Sequence, residues 1–291
     1  MKSIEDIKEQ DMAKTNIKMR KVLLAVLLAG ILLIASCFSL AGCSGKSSTP
    51  TGDDTLRVGV RGDVVGFGYY NNTTKKYYGL EIDIAQELAN RLGYKNVEYT
   101  TVLPDDRKEI LKGGSVDCLV ACYSISDSRL KNFDFSPAYY EDSMVLMVEK
   151  SSMIENVDAL KGKTVGTLSG SNAAPQLIEQ LTKEGKTNGK ALSANTDNTN
   201  VTYDNFHLVQ LSSYTELSEA LEAGKIDAVY LDGAIAKTFM QDNRLLISYN
   251  SQAQRYGVAT QKDSDLSQPV AQTIQNMIDD GTIASLIDKW D

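Results

Sequence analysis

Short strands alternate with helices along most of this chain, and this order limits the folds that it can adopt. Apolar residues alternate over residues 56–60, as in a strand, and residues 84–92 then follow with helical spacing. Further on, a helix over residues 215–223 leads into an apolar strand over residues 226–232. This alternation predicts α/β sheets, and two successive sets of strands and helices predict two lobes.

Charge and residue usage exclude several classes of function. The net charge of −8 over 291 residues leaves no basic block for phosphates, so we expect no nucleic-acid partner. His207 is the single histidine, which argues against a histidine metal centre and against Ser-His-Asp catalysis. The glycine-rich segment over residues 61–69 lacks the GxGxxG spacing of a dinucleotide site. We therefore expect no catalytic residue, no metal and no cofactor.

The N-terminus has the pattern of an export signal. Basic residues precede an apolar run over residues 22–36, which is of signal-peptide type rather than a membrane span with polar flanks on both sides. The run leads to Leu-Ala-Gly-Cys43, which resembles a bacterial lipobox. That resemblance implies that residues 1–43 comprise the signal peptide and a lipidated Cys43, with cleavage before the cysteine. An uncleaved anchor is the alternative. Residues 44–53 are polar and predict a flexible linker.

A buried strand that ends in hydroxyl groups and an arginine lies within residues 117–140. Its apolar run is followed by Ser124, Ser126 and Arg129. An arginine presents a rigid fork of donors that matches both oxygens of a carboxylate. The segment therefore predicts a carboxylate site, with a solvated turn as the alternative.

The same segment resembles the amino-acid-binding proteins of ABC importers, the family 3 type II periplasmic binding proteins. In that family the strand is followed by Thr-x-Thr-x-x-Arg, which Ser124, Ser126 and Arg129 fill here, and then by Asp-Phe-Ser-x-x-Tyr-Tyr. The second pattern is filled by Asp134, Phe135, Ser136, Tyr139 and Tyr140. Other parts of the chain extend the resemblance over residues 56–290.

The resemblance implies an α/β fold of two lobes with a ligand cleft between them, the type II periplasmic binding protein fold. Lobe 1 would comprise residues 54–140 and 256–291, and lobe 2 would comprise residues 141–255. Two hinge crossovers, near residues 140–144 and 253–256, would let a ligand held by both lobes favour closure. The resemblance also implies an amino acid as ligand, an ABC permease as partner, an extracytoplasmic lipid-anchored location and a monomer.

Two segments supply most of the candidate ligand-binding residues. The resemblance implies that Arg129 takes the α-carboxylate of the ligand, helped by Ser124 and by the backbone at Cys122. A strand, small residues and a helix start follow one another over residues 164–175, an order that aims backbone N–H groups at an anion. In that segment the candidate donors are Gly170, Ser171 and Asn172.

Asp232 is the candidate partner of the ligand's ammonium group. It lies at the carboxyl end of a predicted strand, where open α/β sheets bind their ligands, although it could instead cap the next helix. The resemblance favours the ligand. Tyr214 is a candidate wall of the site, and Phe67 could cover the ligand or belong to the core of its lobe.

Two further arginines bear on which amino acid is bound. Arg61 ends the first strand, and Arg107 heads a short helix, where the helix dipole favours acidic residues. Relatives that bind aspartate or glutamate carry basic residues at these positions, so the resemblance implies an acidic amino acid. Pairing of Arg61 with Asp63, or exposure of Arg107, would leave glutamine or another polar amino acid. A dehydratase or a sensor domain on the same fold is a more distant alternative.

Two local features complete these expectations. Cys118 and Cys122 would lie about 13 Å apart in one strand, too far for a disulfide, which predicts free thiols. Residues 183–205 are polar and rich in Asn, Thr and Gly, and predict an elaborated loop.

Overall fold

The computed structural model describes residues 54–249 and 253–291. The predicted signal peptide, Cys43 and the linker over residues 44–53 lie outside the described residues. Within the two described ranges, no helix is long and apolar enough to cross a membrane.

The described strands are short and run from one end of this part of the chain to the other. In chain order they are β1 Thr55–Val60, β2 Asp63–Val64, β3 Gly68–Asn71, β4 Lys76–Tyr78, β5 Asn96–Thr101, β6 Cys118–Val120, β7 Phe133–Phe135, β8 Tyr140–Asp142, β9 Met144–Glu149, β10 Thr164–Leu168, β11 Ser193–Ala194, β12 Asn200–Thr202, β13 His207–Leu211, β14 Ala228–Asp232, β15 Arg244–Ser248, β16 Gln254–Tyr256 and β17 Ala259–Gln261.

Helices separate most of these strands, as the alternation predicts. They are α1 Leu80–Leu92, α2 Arg107–Lys112, α3 Asp127–Leu130, α4 Ala173–Lys183, α5 Tyr214–Glu222, α6 Gly233–Thr238, α7 Ser267–Asp279 and α8 Thr282–Trp290, with short 3-10 helices at Lys150–Ser152 and Val157–Leu160.

The first sheet has the strand order β5-β1-β6-β17-β7. β1 is parallel to β5 and β6, whereas β17 returns antiparallel to β6 and β7. Val58 and Leu119 are fully buried, as expected where helices cover a parallel sheet. α1 contributes Ile84 and Leu88 to this core. It ends at Gly93, whose φ of 85° is the left-handed conformation that glycine adopts without strain, so the predicted end of the helix is confirmed.

The second sheet has the strand order β11-β12-β13-β10-β14-β9-β15. Its centre is parallel, because β10 lies between β13 and β14 in the same direction, and β9 and β15 continue it in antiparallel fashion. Leu146, Val165, Leu177 and Tyr230 are fully buried in its core. The two α/β sheets thus have separate cores over part of their extent, as a two-lobe arrangement requires.

Two short strands connect the sheets side by side. β8 and β16 pair in antiparallel register, with Tyr140 opposite Tyr256 and Asp142 opposite Gln254. Both lie where the sequence predicts the hinge crossovers. The remaining strands, β2, β3 and β4, form a small antiparallel sheet that follows β1.

Two local expectations need correction. The predicted loop over residues 183–205 contains the end of α4 and a β-hairpin, β11 with β12, that extends the second sheet. The strand that carries Cys118 ends at Val120, so Cys122 lies beyond it, with a φ of 45°. Both cysteines are buried and free, so the prediction of free thiols is confirmed.

Candidate functional site

Side chains from both sheets meet at one small cavity beside the carboxyl ends of the parallel strands β1, β6, β10 and β14. This is where open α/β sheets bind ligands. The space left between the side chains is only about 10 Å³, roughly enough for one water molecule. The lining residues are Arg61, Pro104, Arg107, Cys122, Ser124, Leu168, Ser171, Asn172, Ala173, Tyr214, Asp232 and Gln254.

Arg61 is buried and already has an ionic partner. Its Nε and Nη2 atoms donate to Asp63 Oδ1 and Oδ2 at 2.8 and 2.7 Å, a two-pronged ion pair. Burial opposes the charged form of Arg61, but the hydrogen bonds and charge of Asp63 raise its pKa above the usual value. The alternative in which Asp63 pairs with Arg61 is therefore the one that the structure shows.

Arg107, the first residue of α2, is 2 % exposed, so the alternative of an exposed arginine is wrong. Its Nη1 donates to the carbonyl oxygen of Ala121 at 2.7 Å, and its guanidinium lies 4.4 Å from the ring centre of Tyr123. The Nε atom has no hydrogen-bond partner among the described residues. Burial and the nearby charge of Arg61 lower the pKa of Arg107.

Asp232 ends β14 and precedes α6, but its side chain makes no capping hydrogen bond. The backbone N–H of Ala234 donates instead to Asp142, so the capping alternative for Asp232 is wrong. The Oδ1 atom of Asp232 is buried without a hydrogen-bond partner in the described part of the chain. Burial raises the pKa of Asp232 to about 6, although the Tyr256 hydroxyl nearby opposes part of the rise.

Arg129 lies behind the cavity rather than in its lining. It is partly buried, its Nη1 donates to the carbonyl oxygen of Ser124 at 2.8 Å, and its guanidinium lies 4.3 Å from the ring centre of Tyr123. Burial, followed by the charge of Arg107, lowers the pKa of Arg129 to about 9. In this conformation Arg129 contacts Ser124, which lines the cavity, and does not itself line it.

Phe67 packs into the core near the crossovers. Its ring is 4.9 Å from that of Tyr140 and 6.0 Å from that of Tyr256, both edge to face, and it is 6 % exposed. It belongs to the core and does not line the cavity described above, although it borders a separate cavity together with Tyr140 and Ala234.

The Gly170 turn brings the two lobes into contact. Ser169 Oγ donates to Asp105 Oδ1 at 2.9 Å, and Gly170 lies so close to Pro104 and Asp105 that a side chain there would collide with them. Gly170 therefore faces the other lobe rather than the cavity. The next residue, Ser171, lines the cavity but uses its hydroxyl locally, donating to the carbonyl oxygen of Leu168 at 2.6 Å.

The sequence analysis did not predict a buried carboxyl group that lies behind the cavity. Glu81 is fully buried in the first turn of α1 and accepts hydrogen bonds from the backbone N–H of Cys122 at 2.6 Å and from the Tyr139 hydroxyl at 2.5 Å. Its spacing of three and seven residues from Ile84 and Leu88 places it on the apolar face of the helix, a signal that could have identified it.

Residues 56–291 match the family described as bacterial extracellular solute-binding proteins, family 3. This chain belongs to that family. It is 28 % identical to the ABC transporter glutamine-binding protein GlnH of Bacillus subtilis over 94 % of this chain and 97 % of that protein. It is 26 % identical to the arginine-binding extracellular protein ArtP of the same organism over 89 % of this chain and 96 % of that protein.

Solved structures show the same fold. An ancestral arginine-binding protein bound to arginine is 26 % identical and has a TM-score of 0.67, over 81 % of this chain and 98 % of that one. An ancestral amino-acid-binding protein described as a precursor of cyclohexadienyl dehydratase is 24 % identical, with a TM-score of 0.66 over 81 % of this chain and 95 % of that one, and shows the fold alone. The predicted type II periplasmic binding protein fold is confirmed, and the protein is an extracellular solute-binding protein of family 3.

Proposed function

We propose that this protein binds a polar amino acid, glutamine in the first place, and delivers it to an ABC importer. The observation that carries the proposal is a pair of buried atoms without partners in the described ranges, Asp232 Oδ1 and Arg107 Nε, at one cavity. Buried polar atoms are nearly always hydrogen-bonded, so an unpartnered acceptor and an unpartnered donor at one cavity indicate a ligand with both kinds of group.

Each of the two atoms fits one part of an amino acid. Asp232 Oδ1 would accept from the α-ammonium group, and Arg107 Nε would donate to an oxygen of the ligand's side chain. Arg129 would take the α-carboxylate together with Ser124, once the lobes open and close around the ligand. Tyr214, which is 5 % exposed and lines the cavity, would form its wall.

The ion pair of Arg61 with Asp63 favours a neutral ligand side chain. If Arg61 and Arg107 were both unpaired, they would attract an acidic ligand side chain. Arg61 is instead neutralised by Asp63 at 2.7 Å, so it adds little attraction for a second carboxylate. The glutamine-binding proteins among the relatives agree with this choice. Glutamate or aspartate is the second candidate, because the unpartnered Nε of Arg107 can also donate to a carboxylate.

The location follows from the N-terminus and the family. We propose that Cys43 is lipidated and holds a monomer at the outer face of the plasma membrane, or in the periplasm, beside its permease. We expect binding without turnover, because GlnH and ArtP are both described as amino-acid-binding proteins.

Thermal unfolding with a panel of amino acids should show the largest rise in Tm with glutamine. The panel contains glutamine, glutamate, aspartate, arginine, histidine and cystine, with and without a chelator. A ligand at about 100 times its Kd stabilises by about 2.7 kcal/mol, which is several degrees for a domain of this size. Chelation should leave the shift unchanged. The absence of a shift with any amino acid would overturn the proposed function, and a larger shift with glutamate would select the second candidate.

Affinity should fall as the pH is lowered through about 6, because Asp232 must lose its proton before it can pair with an ammonium group. With the pKa of Asp232 raised by burial to about 6, the Kd should be roughly tenfold weaker at pH 5 than at pH 7. Calorimetry at pH 6 in buffers of different ionisation enthalpy should detect the release of roughly half a proton per ligand bound. A Kd that stays constant from pH 5 to pH 7 would show that Asp232 does not hold the ammonium group.

A further inference from the structure

A buried glutamine lies where one of the two crossovers meets the cavity. Gln254 is the first residue of β16, is 3 % exposed and lines the cavity. Its partner on β8 is Asp142, so its backbone belongs to the pair of short strands that connects the two sheets. Gln254 therefore presents a polar side chain to the cavity from the crossovers rather than from either large sheet.

A second buried amide fixes the orientation of the Gln254 side chain. The Nε2 atom of Gln254 donates to Oε1 of Gln176, which lies in the first turn of α4 and is 8 % exposed. Within the described residues this is the one hydrogen bond of the Gln254 side chain, and it uses the nitrogen. The amide oxygen, which can only accept, is therefore the group that Gln254 offers to a ligand in the cavity.

The acceptor of Gln254 complements the donor of Arg107. Both residues line the cavity, and Arg107 Nε has no hydrogen-bond partner among the described residues. A primary amide contains an oxygen that accepts and a nitrogen that donates, so one such group can bond to both residues. A carboxylate only accepts, and it would place one of its oxygens against the oxygen of Gln254. The two residues together match a side-chain amide better than a carboxylate.

We propose that Gln254 is a specificity-determining residue, whose amide oxygen accepts a hydrogen bond from a primary amide at the end of the ligand's side chain. The inference deepens the proposed function and rests on it, because it assumes that an amino acid occupies the cavity. Glutamine is then preferred to glutamate because of a hydrogen bond that a carboxylate cannot donate. Gln176 is a positioning residue, since its contact with the Gln254 nitrogen leaves the oxygen toward the ligand.

A series of three ligands separates the donated hydrogen bond from the effect of charge. Glutamine, glutamate and the γ-methyl ester of glutamate have side chains of similar length, and the ester is neutral but has no N–H group in its side chain. Calorimetry with wild-type protein should give a Kd for glutamine that is at least about tenfold lower than that for the ester, because the ester leaves the Gln254 oxygen buried without a donor. Equal Kd values for glutamine and the ester would overturn the proposal.

Gln254→Met tests whether Gln254 is the acceptor, because methionine keeps the length of the side chain and removes the amide. The ratio of the ester Kd to the glutamine Kd should fall about tenfold relative to the wild type, since glutamine loses an acceptor that the ester never used. The size of the ester's methyl group affects both proteins alike and cancels in this comparison. A ratio equal to the wild-type value would overturn the proposal.

Gln261→Met is the matched control. Gln261 ends β17 and donates through Nε2 to the carbonyl oxygen of Leu111 at 2.8 Å, and it is not among the residues that line the cavity. The same change of side chain is made in the first sheet, so the ratio should stay at its wild-type value.

Gln176→Met covers the case in which Gln254→Met does not fold. It removes the acceptor that holds the Gln254 nitrogen, so the amide can turn and the ratio should fall in the same direction. An unchanged ratio in Gln176→Met would then overturn the proposal. Tighter binding of glutamate than of glutamine to wild-type protein would overturn it as well, while leaving amino-acid binding in place. Wild-type protein that binds neither would instead overturn the proposed function.

Discussion

Asp232→Ala is expected to abolish ligand binding while the free protein remains folded and becomes more stable at neutral pH. Asp232 is the acceptor proposed for the α-ammonium group, and its Oδ1 has no other hydrogen-bond partner in the described residues. Removing one partner of a buried ion pair costs about 3–5 kcal/mol, so affinity should fall at least about 100-fold. Calorimetry with glutamine measures the loss.

The gain in stability follows from the pKa of Asp232, which burial raises from 3.8 to about 6. An acid whose pKa is raised by folding contributes a stability that is fully present below pH 3.8 and is lost as the pH rises through about 6. At pH 7 the ionised Asp232 side chain therefore destabilises the free protein. The pKa difference corresponds to roughly 3 kcal/mol, from which the cost of the small cavity left by alanine is subtracted. Urea unfolding should give the variant a larger free energy of unfolding than the wild type at pH 7, but not at pH 4.

Asp227→Ala is the matched control for this experiment. Asp227 directly precedes the same strand, β14, and accepts from the Thr164 N–H at 2.8 Å and from Lys163 Nζ at 3.1 Å. Its loss should destabilise by about 1 kcal/mol and leave affinity unchanged. Wild-type affinity in Asp232→Ala would contradict the placement of the site.

Gly170→Ala is expected to prevent the lobes from closing and to lower affinity at least about tenfold. A Cβ atom at Gly170 would overlap Asp105 Oδ1, and it would lie 2.6 Å from the carbonyl carbon of Pro104 and 2.7 Å from the backbone nitrogen of Asp105. Two of these atoms belong to the backbone of the other lobe and cannot turn aside. The lobes would have to stay apart, and the ligand would lose contacts on one side.

A second glycine separates this effect from simple backbone strain. Gly170 has a φ of 65°, and Gly162 has a φ of 75° but faces open space, since a Cβ atom there would meet no atom of the described residues within 4 Å. Alanine should cost about 1 kcal/mol of stability at either position. Only Gly170→Ala should weaken glutamine binding, and small-angle scattering should show that it contracts less than the wild type when glutamine is added. Equal affinity in both variants would mean that the contact with Asp105 does not accompany closure.

Features that depend on neighbouring residues were predicted well. The helix α1 ends at Gly93 because a glycine in the left-handed conformation terminates it, and that signal is local. The family resemblance implied that Arg61, Cys122 and Asp232 share one site, and the structure places all three at one cavity beside the carboxyl ends of parallel strands. The two short crossover strands were expected from the family resemblance and pair as β8 with β16.

Other properties depended on contacts between distant segments, which no spacing rule describes. The packing of Phe67 in the core depends on Tyr140 and Tyr256, which lie 73 and 189 residues away in the sequence. The burial of Arg107 depends on Ala121, and the burial of Glu81 on Tyr139.

The sequence by itself determined the α/β alternation, the family and several of the groups that meet at the cavity, because periodicity, glycine stops and motif spacing are properties of neighbouring residues. Only the tertiary structure decided which of those groups are free to bind. Arg61 is neutralised by Asp63 at 2.7 Å, whereas Arg107 Nε and Asp232 Oδ1 are left without partners among the described residues. The physical reason is that the availability of a buried charge depends on every donor and acceptor around it in space, and distant parts of the chain supply most of these.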